Sequence, residues 1–363
     1  MAASHYWMSV AVAANSTVWQ RKFGACSFER MFSQSTEMSA SDRQPTYLTL
    51  HGVPLSDVPR SGVVYFSFDP QGVWRASTGD FSHEIENICV RIHDALAAQI
   101  FDGIGQYHAI LPKVQEWVVT AGLNSEAPIS RELFEKLVGA NSDPTTHKLL
   151  YLHDCRRLVS GIQEALIEVV QLQGEFYKTL NLEELFYPPG VSPDGIRHIG
   201  SPVTAKLIAL INVIYIRLHS LLDYATKLVF EAEHIRTDFS RYPRLASKNK
   251  LFGDRRRISL NNKTGTLFEP CDLVTETEAL RNLIIHDGFF DEQPKVYEVR
   301  ANGVVQERFI LMPDRENGRL TSYGNRNLFY GNEDKINMRL PSFIAEFQKR
   351  LLLTVKETLR ILS

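Results

Sequence analysis

Arg281, Asn282 and His286 place a forked guanidinium, an amide and an imidazole within the short segment Glu278-Ala279-Leu280-Arg281-Asn282-Leu283-Ile284-Ile285-His286-Asp287-Gly288. An imidazole gives and takes protons near neutrality, and a guanidinium grips the paired oxygens of a phosphate without ever losing its charge. Together they equip a site for proton transfer beside a developing oxyanion. In a helix, Asn282 and His286 are four apart and share a face, while Arg281 lies about 140° around from His286 and about 7.5 Å down the axis, within reach of a long side chain. Leu280, Leu283 and Ile284 form a separate apolar stripe that can bury, which leaves the trio at a margin or cleft. The ordinary alternative is a helix end in which Arg281 pairs with Glu278 and His286 caps the C-terminus.

Other residues could support such a site. Arg241, Arg244, Lys248, Lys250, Arg255, Arg256, Arg257 and Lys263 crowd one segment whose single acid is Asp254. Lys248, Lys250, Arg255, Arg256 and Arg257 are the candidates to hold an RNA backbone, with Tyr242 and Phe252 available to stack on bases. A solvated loop is the plain alternative. Tyr215, His219 and Asp223, spaced by four, are candidates for a supporting layer behind the trio, or else the solvent edge of an amphipathic helix. A rival chemistry comes from His93-Asp94, His153-Asp154 and His286-Asp287, because metal-dependent HD phosphohydrolases use such a pair with a distant His and Asp to bind a divalent ion. The order of outer ligands that this needs is not evident. No phosphate-binding glycine loop, nucleophile elbow or HExxH motif is present.

The elements that would position these residues are mainly helical. Residues 1–45 carry no sustained period, and Ser33 to Gln44 reads as a flexible, solvated segment. Thr46–Leu50 and Gly62–Phe68 read as short strands. Ile85, Ile88, Cys89, Ile92, Leu96 and Ile100 predict a helix with Ser82 as its cap, and further helices are expected at about 106–121, 129–139 and 145–178. The Tyr187-Pro188-Pro189-Gly190 run suggests a boundary between a region 46–190 and a second, 200–363. From Pro202 to about 236 the apolar residues Leu207, Leu210, Ile211, Ile214, Leu218, Leu221 and Leu222 recur in steps of three and four, the strongest helical signal in the chain. The motif helix is expected at 273–287 with Gly288 as its left-handed stop. A β-hairpin is expected around Ala301-Asn302-Gly303, and a closing helix over 341–362 with Pro341 in its first turn.

Composition bounds the answer. The 363 residues are 44 % hydrophobic, enough for a sizeable core, and 40 Lys plus Arg against 42 Asp plus Glu make any nucleic-acid surface a local one. Cys26, Cys89, Cys155 and Cys271 are widely spaced, so neither a zinc knuckle nor a disulfide framework is suggested and a reducing compartment is expected. No unbroken apolar run of about 18 residues occurs, and the apolar stretch Tyr6–Ala14 is short for a signal sequence; a cytoplasmic protein without a membrane span is expected.

The motif segment resembles the HEPN superfamily, whose hallmark is Arg, four to six residues, then His, often with Asn, Asp or His directly after the Arg. Arg281-Asn282-(three residues)-His286 has that form, and no other Arg precedes a His at that interval. The resemblance extends to the setting over residues 200–363, a long helix, the motif helix and a closing helix. It implies a HEPN-like helical bundle in the C-terminal half with a β-hairpin insertion, preceded by further helices and a small β-containing part. It also implies a homodimeric, metal-independent endoribonuclease without cofactors. In such a site the RNA 2′-hydroxyl attacks its own phosphate, His286 moves the proton, Arg281 stabilises the phosphate charge and Asn282 assists. The family context points to a toxin or an antiphage or stress-defence effector with an unidentified regulatory partner. Some HEPN toxins carry a Tyr two residues beyond the His for modification by a partner enzyme; Gly288 stands there, so that control is not expected. The different-class alternative is a HEPN bundle kept for dimerisation or ligand binding without turnover.

Overall fold

The structure, a computed structural model, describes residues 46–363 except 141–142, 187–192, 289–290 and 292. The expected flexible segment 1–45 and the Tyr187–Gly190 run lie outside the described residues. Helices dominate: α1 Ser82–Ile100, α2 Ile104–Ile110, α3 Glu116–Thr120, α4 Arg131–Ala140, α5 Pro144–Leu182, α6 Pro202–Glu233, α7 Asp272–His286 and α8 Ile336–Leu362. The strands are short and antiparallel. β1 Leu48–Thr49, β2 Tyr65–Phe68 and β3 Trp74–Ala76 form one sheet, β4 Gly195–Ile199, β5 Val296–Ala301 and β6 Val304–Phe309 a second, and β7 Arg315–Glu316 with β8 Arg319–Leu320 a hairpin.

The two longest helices begin alike. Asp143 accepts a hydrogen bond from Thr145 N at 2.9 Å ahead of Pro144, and Ser201 accepts one from Thr204 N at 3.2 Å ahead of Pro202. Each cap satisfies an amide that the first turn leaves without a partner, and proline at the first position gives up nothing. α5 and α6 pack along one another, α1 lies between α5 and α8, and α6 receives α7 and α8. Leu207, Ile211, Ile214, Leu218, Leu221 and Leu222 of α6 are buried in one apolar core with Ile92, Leu96, Leu152 and Val159 from upstream helices. The expected divide near 187–190 therefore falls in a connection between two helices that share a core. By length and composition alone α6 could also cross a bilayer, judged on mean hydropathy rather than on an unbroken apolar run. Here its apolar stripe is used against α5, α7 and α8.

α8 starts earlier than expected and carries Pro341 inside it. An internal proline removes the hydrogen bond to the carbonyl four residues back, that of Asn337. The buried Tyr177 hydroxyl donates to that carbonyl, which is why the helix passes through the proline unbroken. The fully buried Asn337 side chain adds to the junction: its Nδ2 donates to Leu50 O at 2.7 Å and its Oδ1 accepts from Ile310 N at 3.1 Å. One asparagine thus fastens the first sheet, the second sheet and α8 to each other.

The hairpin at Asn302-Gly303 forms as expected, with φ of 54° and 73°, a turn whose twist matches its flanking strands. Asp194 accepts from Asn302 N at 2.7 Å and Gly303 N at 2.9 Å, so the residue before β4 holds the tip.

Candidate functional site

α7 has two faces with different duties. Its inner face buries Val274, Glu276, Thr277, Leu280, Leu283 and Ile284, which includes the stripe read from the sequence. Glu276 is buried with its carboxylate 3.6 Å from Arg315 Nε and in contact with Arg339 Nη2. Burial pushes its carboxyl up, against the pull of those two arginines. This ion cluster pins the first half of α7 to β7 and α8 (residues 315 and 339). Gly318 in the β7–β8 turn approaches Asp272 O so closely that a Cβ would lie 2.3 Å from it, and its φ is +75°. Only glycine fits there.

The outer face carries Glu278, Arg281, Asn282, Ile285 and His286. Arg281 Nη1 donates to Asn282 Oδ1 at 3.0 Å, so guanidinium and amide form one polar surface. The Glu278 carboxylate accepts from Arg255 Nη1 at 3.0 Å rather than from Arg281. His286 is exposed at the last turn and makes no side-chain hydrogen bond or ion pair among the described residues. Ile285 sits in the middle of this polar strip and is 48 % exposed.

Behind Arg281 stand two of the expected supporting residues. His219 Nδ1 and Asp223 Oδ2 on α6 are 3.8 Å apart. Burial lowers the His219 pKa, with Asp223 and Glu278 pulling upward and the Arg281 charge downward. Asp223 has a positioning duty as well: its Oδ1 accepts from Phe252 N at 2.8 Å and so fixes the 3₁₀ turn Phe252–Arg257 against α6. Tyr215 does not join them. It is buried, packs on Phe343 and interacts with Glu276 on the inner side of α7. Positions spaced by four drift about 40° per step around a helix, so Tyr215 and Asp223 point about 80° apart.

The basic segment divides into engaged and free cations. Arg255 is held between Glu278 and the Phe252 ring, 4.7 Å from its centroid. Arg257 lies 3.6 Å from Asp254, and Lys250 lies 5.0 Å from the Phe230 ring centroid. Lys248 and Arg256 are exposed and form no side-chain hydrogen bond or ion pair among the described residues. The two aromatics expected to stack on bases are otherwise employed. Phe252 is buried against Phe268, and the Tyr242 hydroxyl donates to Asp154. An aromatic ring in a short turn is more stabilising inside a core than in water, and the basic run gave no sign of that.

The His-Asp dipeptides separate on their helices as a 100° step requires. His93 is buried while Asp94 is exposed, and Asp154 is taken by Tyr242. Burial and the Arg156 charge push His93 down to about 3 and His153 down to about 4. Among the described residues, no three His, Cys, Asp or Glu side chains are grouped to hold a metal ion. The described cysteines Cys89, Cys155 and Cys271 are free thiols, and burial pushes Cys89 up to about 12. It is a core residue, not a nucleophile.

Sequence reasoning missed Ile285 and the Arg255–Glu278 pair. The first had a signal, since the stripe of Leu280, Leu283 and Ile284 leaves Ile285 outside it; the second depends on a fold-back of the basic segment that no local pattern encodes. Comparison with protein-family models, with characterised proteins and with solved structures finds no match for this chain.

Proposed function

We propose that the chain is a metal-independent endoribonuclease of HEPN type, working as a cytoplasmic homodimer in which the outer strips of two α7 helices line one cleft. The observation that carries this reading is the availability of Arg281. Its natural partner one turn away, Glu278, is taken by Arg255, and the guanidinium keeps only the Asn282 amide oxygen. A helix end built for stability alone would pair that charge. Arg281 is thereby free to grip a phosphate, with Asn282 oriented by it and His286 open to substrate.

On this reading the 2′-hydroxyl oxygen attacks the adjacent phosphorus as an imidazole takes its proton, and the bond to the 5′-oxygen breaks as that oxygen gains a proton from the second imidazole of the dimer. The products are a 2′,3′-cyclic phosphate and a 5′-hydroxyl, and no water, metal or cofactor is consumed. Arg281 stabilises charge on the non-bridging oxygens, and Lys248 and Arg256 are the basic residues free to hold the flanking backbone. Residues 200–363 form the HEPN bundle with β5 and β6 as its insertion, α5 completing its core. The biological role is that of a toxin or an antiphage or stress-defence effector, restrained by a signal or partner.

A second reading, a bundle kept for dimerisation without turnover, is favoured by Ile285, whose apolar side chain suits a subunit contact. An RNA cleavage assay in excess chelator separates the readings. Cutting that persists supports the nuclease described here. Loss on chelation points to HD-type metal chemistry, and no cutting under any condition points to the binding module.

A further inference from the structure

On the far side of α6 from its N-terminus, the segment 234–244 bounds a cleft of about 650 Å³ lined by His234, Arg236, Asp238, Arg241, Tyr242 and Arg244 among others. The volume is that of a site for a small ligand. The loop around it is irregular, yet four separate attachments hold it. The buried Glu231 carboxylate accepts from Ser247 N at 2.9 Å and from Ala246 N at 3.3 Å. The Tyr151 hydroxyl, which donates to Glu231, accepts from Arg236 N at 3.1 Å. His147 Nδ1 donates to Phe239 O at 2.9 Å, and the Tyr242 hydroxyl donates to Asp154. These bonds satisfy the buried carboxylates and phenols and hold the loop in one conformation.

What the loop presents is positive. The side chains of Arg236, Arg241 and Arg244 are exposed and form no hydrogen bond or ion pair among the described residues. The carboxylates beneath are already employed, Glu231 by the loop amides and Asp154 by Tyr242. Asp238 is the one acid on the rim; the Ser240 amide and hydroxyl hold its carboxyl below the usual range, with a smaller pull from Arg241. On α5, Lys148 adds charge nearby, 5.8 Å from the Phe239 ring centroid. Three guanidiniums around one concavity repel each other unless an anion sits among them, and the fork of arginine matches phosphate oxygens in pairs. A loop fixed in advance also loses little freedom on binding.

We infer that this cleft binds the phosphate chain of a nucleotide-sized anion through Arg236, Arg241 and Arg244, at a site separate from Arg281 and His286. The same chemistry is offered by a free nucleoside triphosphate and by the 5′-triphosphate end of an RNA. The test is calorimetric titration of the full chain at 0.15 M salt, roughly the physiological ionic strength, with tripolyphosphate, ATP, a 5′-triphosphorylated RNA decamer and the same decamer with a 5′-hydroxyl. Saturable binding of ATP and tripolyphosphate is expected, weakened tenfold or more by Arg241→Ala with Arg244→Ala and changed less than twofold by Lys136→Ala with Lys349→Ala, which removes as much charge elsewhere. Asp238→Asn, which keeps a side chain able to accept from Ser240, is expected to tighten ATP severalfold. A triphosphorylated decamer that binds more tightly than the 5′-hydroxyl decamer, by a margin lost in Arg241→Ala with Arg244→Ala, assigns the site to RNA ends; equal binding of the two decamers, which the α7 strip alone can supply, assigns it to free nucleotide. The inference is overturned if ATP and tripolyphosphate show no saturation at millimolar concentration, or if the two double variants lose affinity for them equally.

Discussion

Replacing Glu276 by Ala should unseat the motif helix, and the size of the effect can be worked from its surroundings. The carboxylate is about 1 % exposed, and its partner Arg315 is only 6 % exposed, whereas Arg339 at 39 % can turn to water. Truncation therefore strands one guanidinium in a place that water barely reaches, with Asp334 at 2.9 Å as its remaining acid. Breaking a buried pair from one side costs about 3–5 kcal/mol, and the retained Asp334 contact puts the expected loss near the lower end, about 3 kcal/mol. Burial pushes the Glu276 carboxyl up in spite of both arginines, so the cluster as a whole is not strongly stabilising. The double variant Glu276→Leu with Arg315→Leu should accordingly recover most of the loss, because neither charge is left behind. Urea unfolding followed by circular dichroism measures both. A single variant that loses less than about 1 kcal/mol, or a double variant as unstable as the two singles added, would refute the argument.

Tyr177→Phe removes the hydroxyl that serves the Asn337 carbonyl freed by Pro341, and a loss of about 1–3 kcal/mol is expected in the same unfolding assay; Pro341→Ala in that background should restore part of it by supplying an amide. Acid should weaken the fold through His93 and His153. Their pKa values, about 3 and about 4, lie below the ordinary 6.5, so the unfolded chain binds protons first. Their contribution is complete above pH 6.5 and falls as pH drops toward 4, by at most about 1.4 kcal/mol per pH unit for each. His153→Gln should flatten the stability profile between pH 6.5 and 5, above the range where most carboxylates titrate; an unchanged slope would contradict the assignment. Lys248→Ala and Arg256→Ala should each weaken RNA binding across sequences and lower the salt dependence by about 0.7 in log–log slope, read by fluorescence anisotropy at several salt concentrations.

Local patterns made much of the helical frame legible. The Ser82–Ile100 helix, the apolar stripe of α6 and the Leu280, Leu283, Ile284 face of α7 follow from spacing alone, and Asn302-Gly303 announces its hairpin. What stayed hidden depends on partners distant in sequence. β4 is a five-residue strand with Ile196 exposed, and it exists through pairing with β5 a hundred residues later. Pro341 reads as a first-turn residue until Tyr177 is seen to satisfy the carbonyl it frees. At the candidate site, the outward placement of Arg281, Asn282 and His286 was readable from the helix period. The burial of Tyr215 and Phe252 was not, nor was the engagement of the Tyr242 hydroxyl, because each depends on a contact made in three dimensions: Glu276, Phe268 and Asp154.

The central claim rests on two side chains of α7, and one comparison tests it most directly. Wild type, Arg281→Ala and His286→Ala are incubated with RNA in excess chelator, each first shown to unfold at the same urea midpoint, and the product ends are identified by mass. Wild-type cleavage leaving 2′,3′-cyclic phosphates, reduced at least a hundredfold in either variant, in keeping with a loss of roughly 10²–10⁴ for a proton-transfer group, is the predicted result. Equal cleavage by all three folded proteins would contradict it.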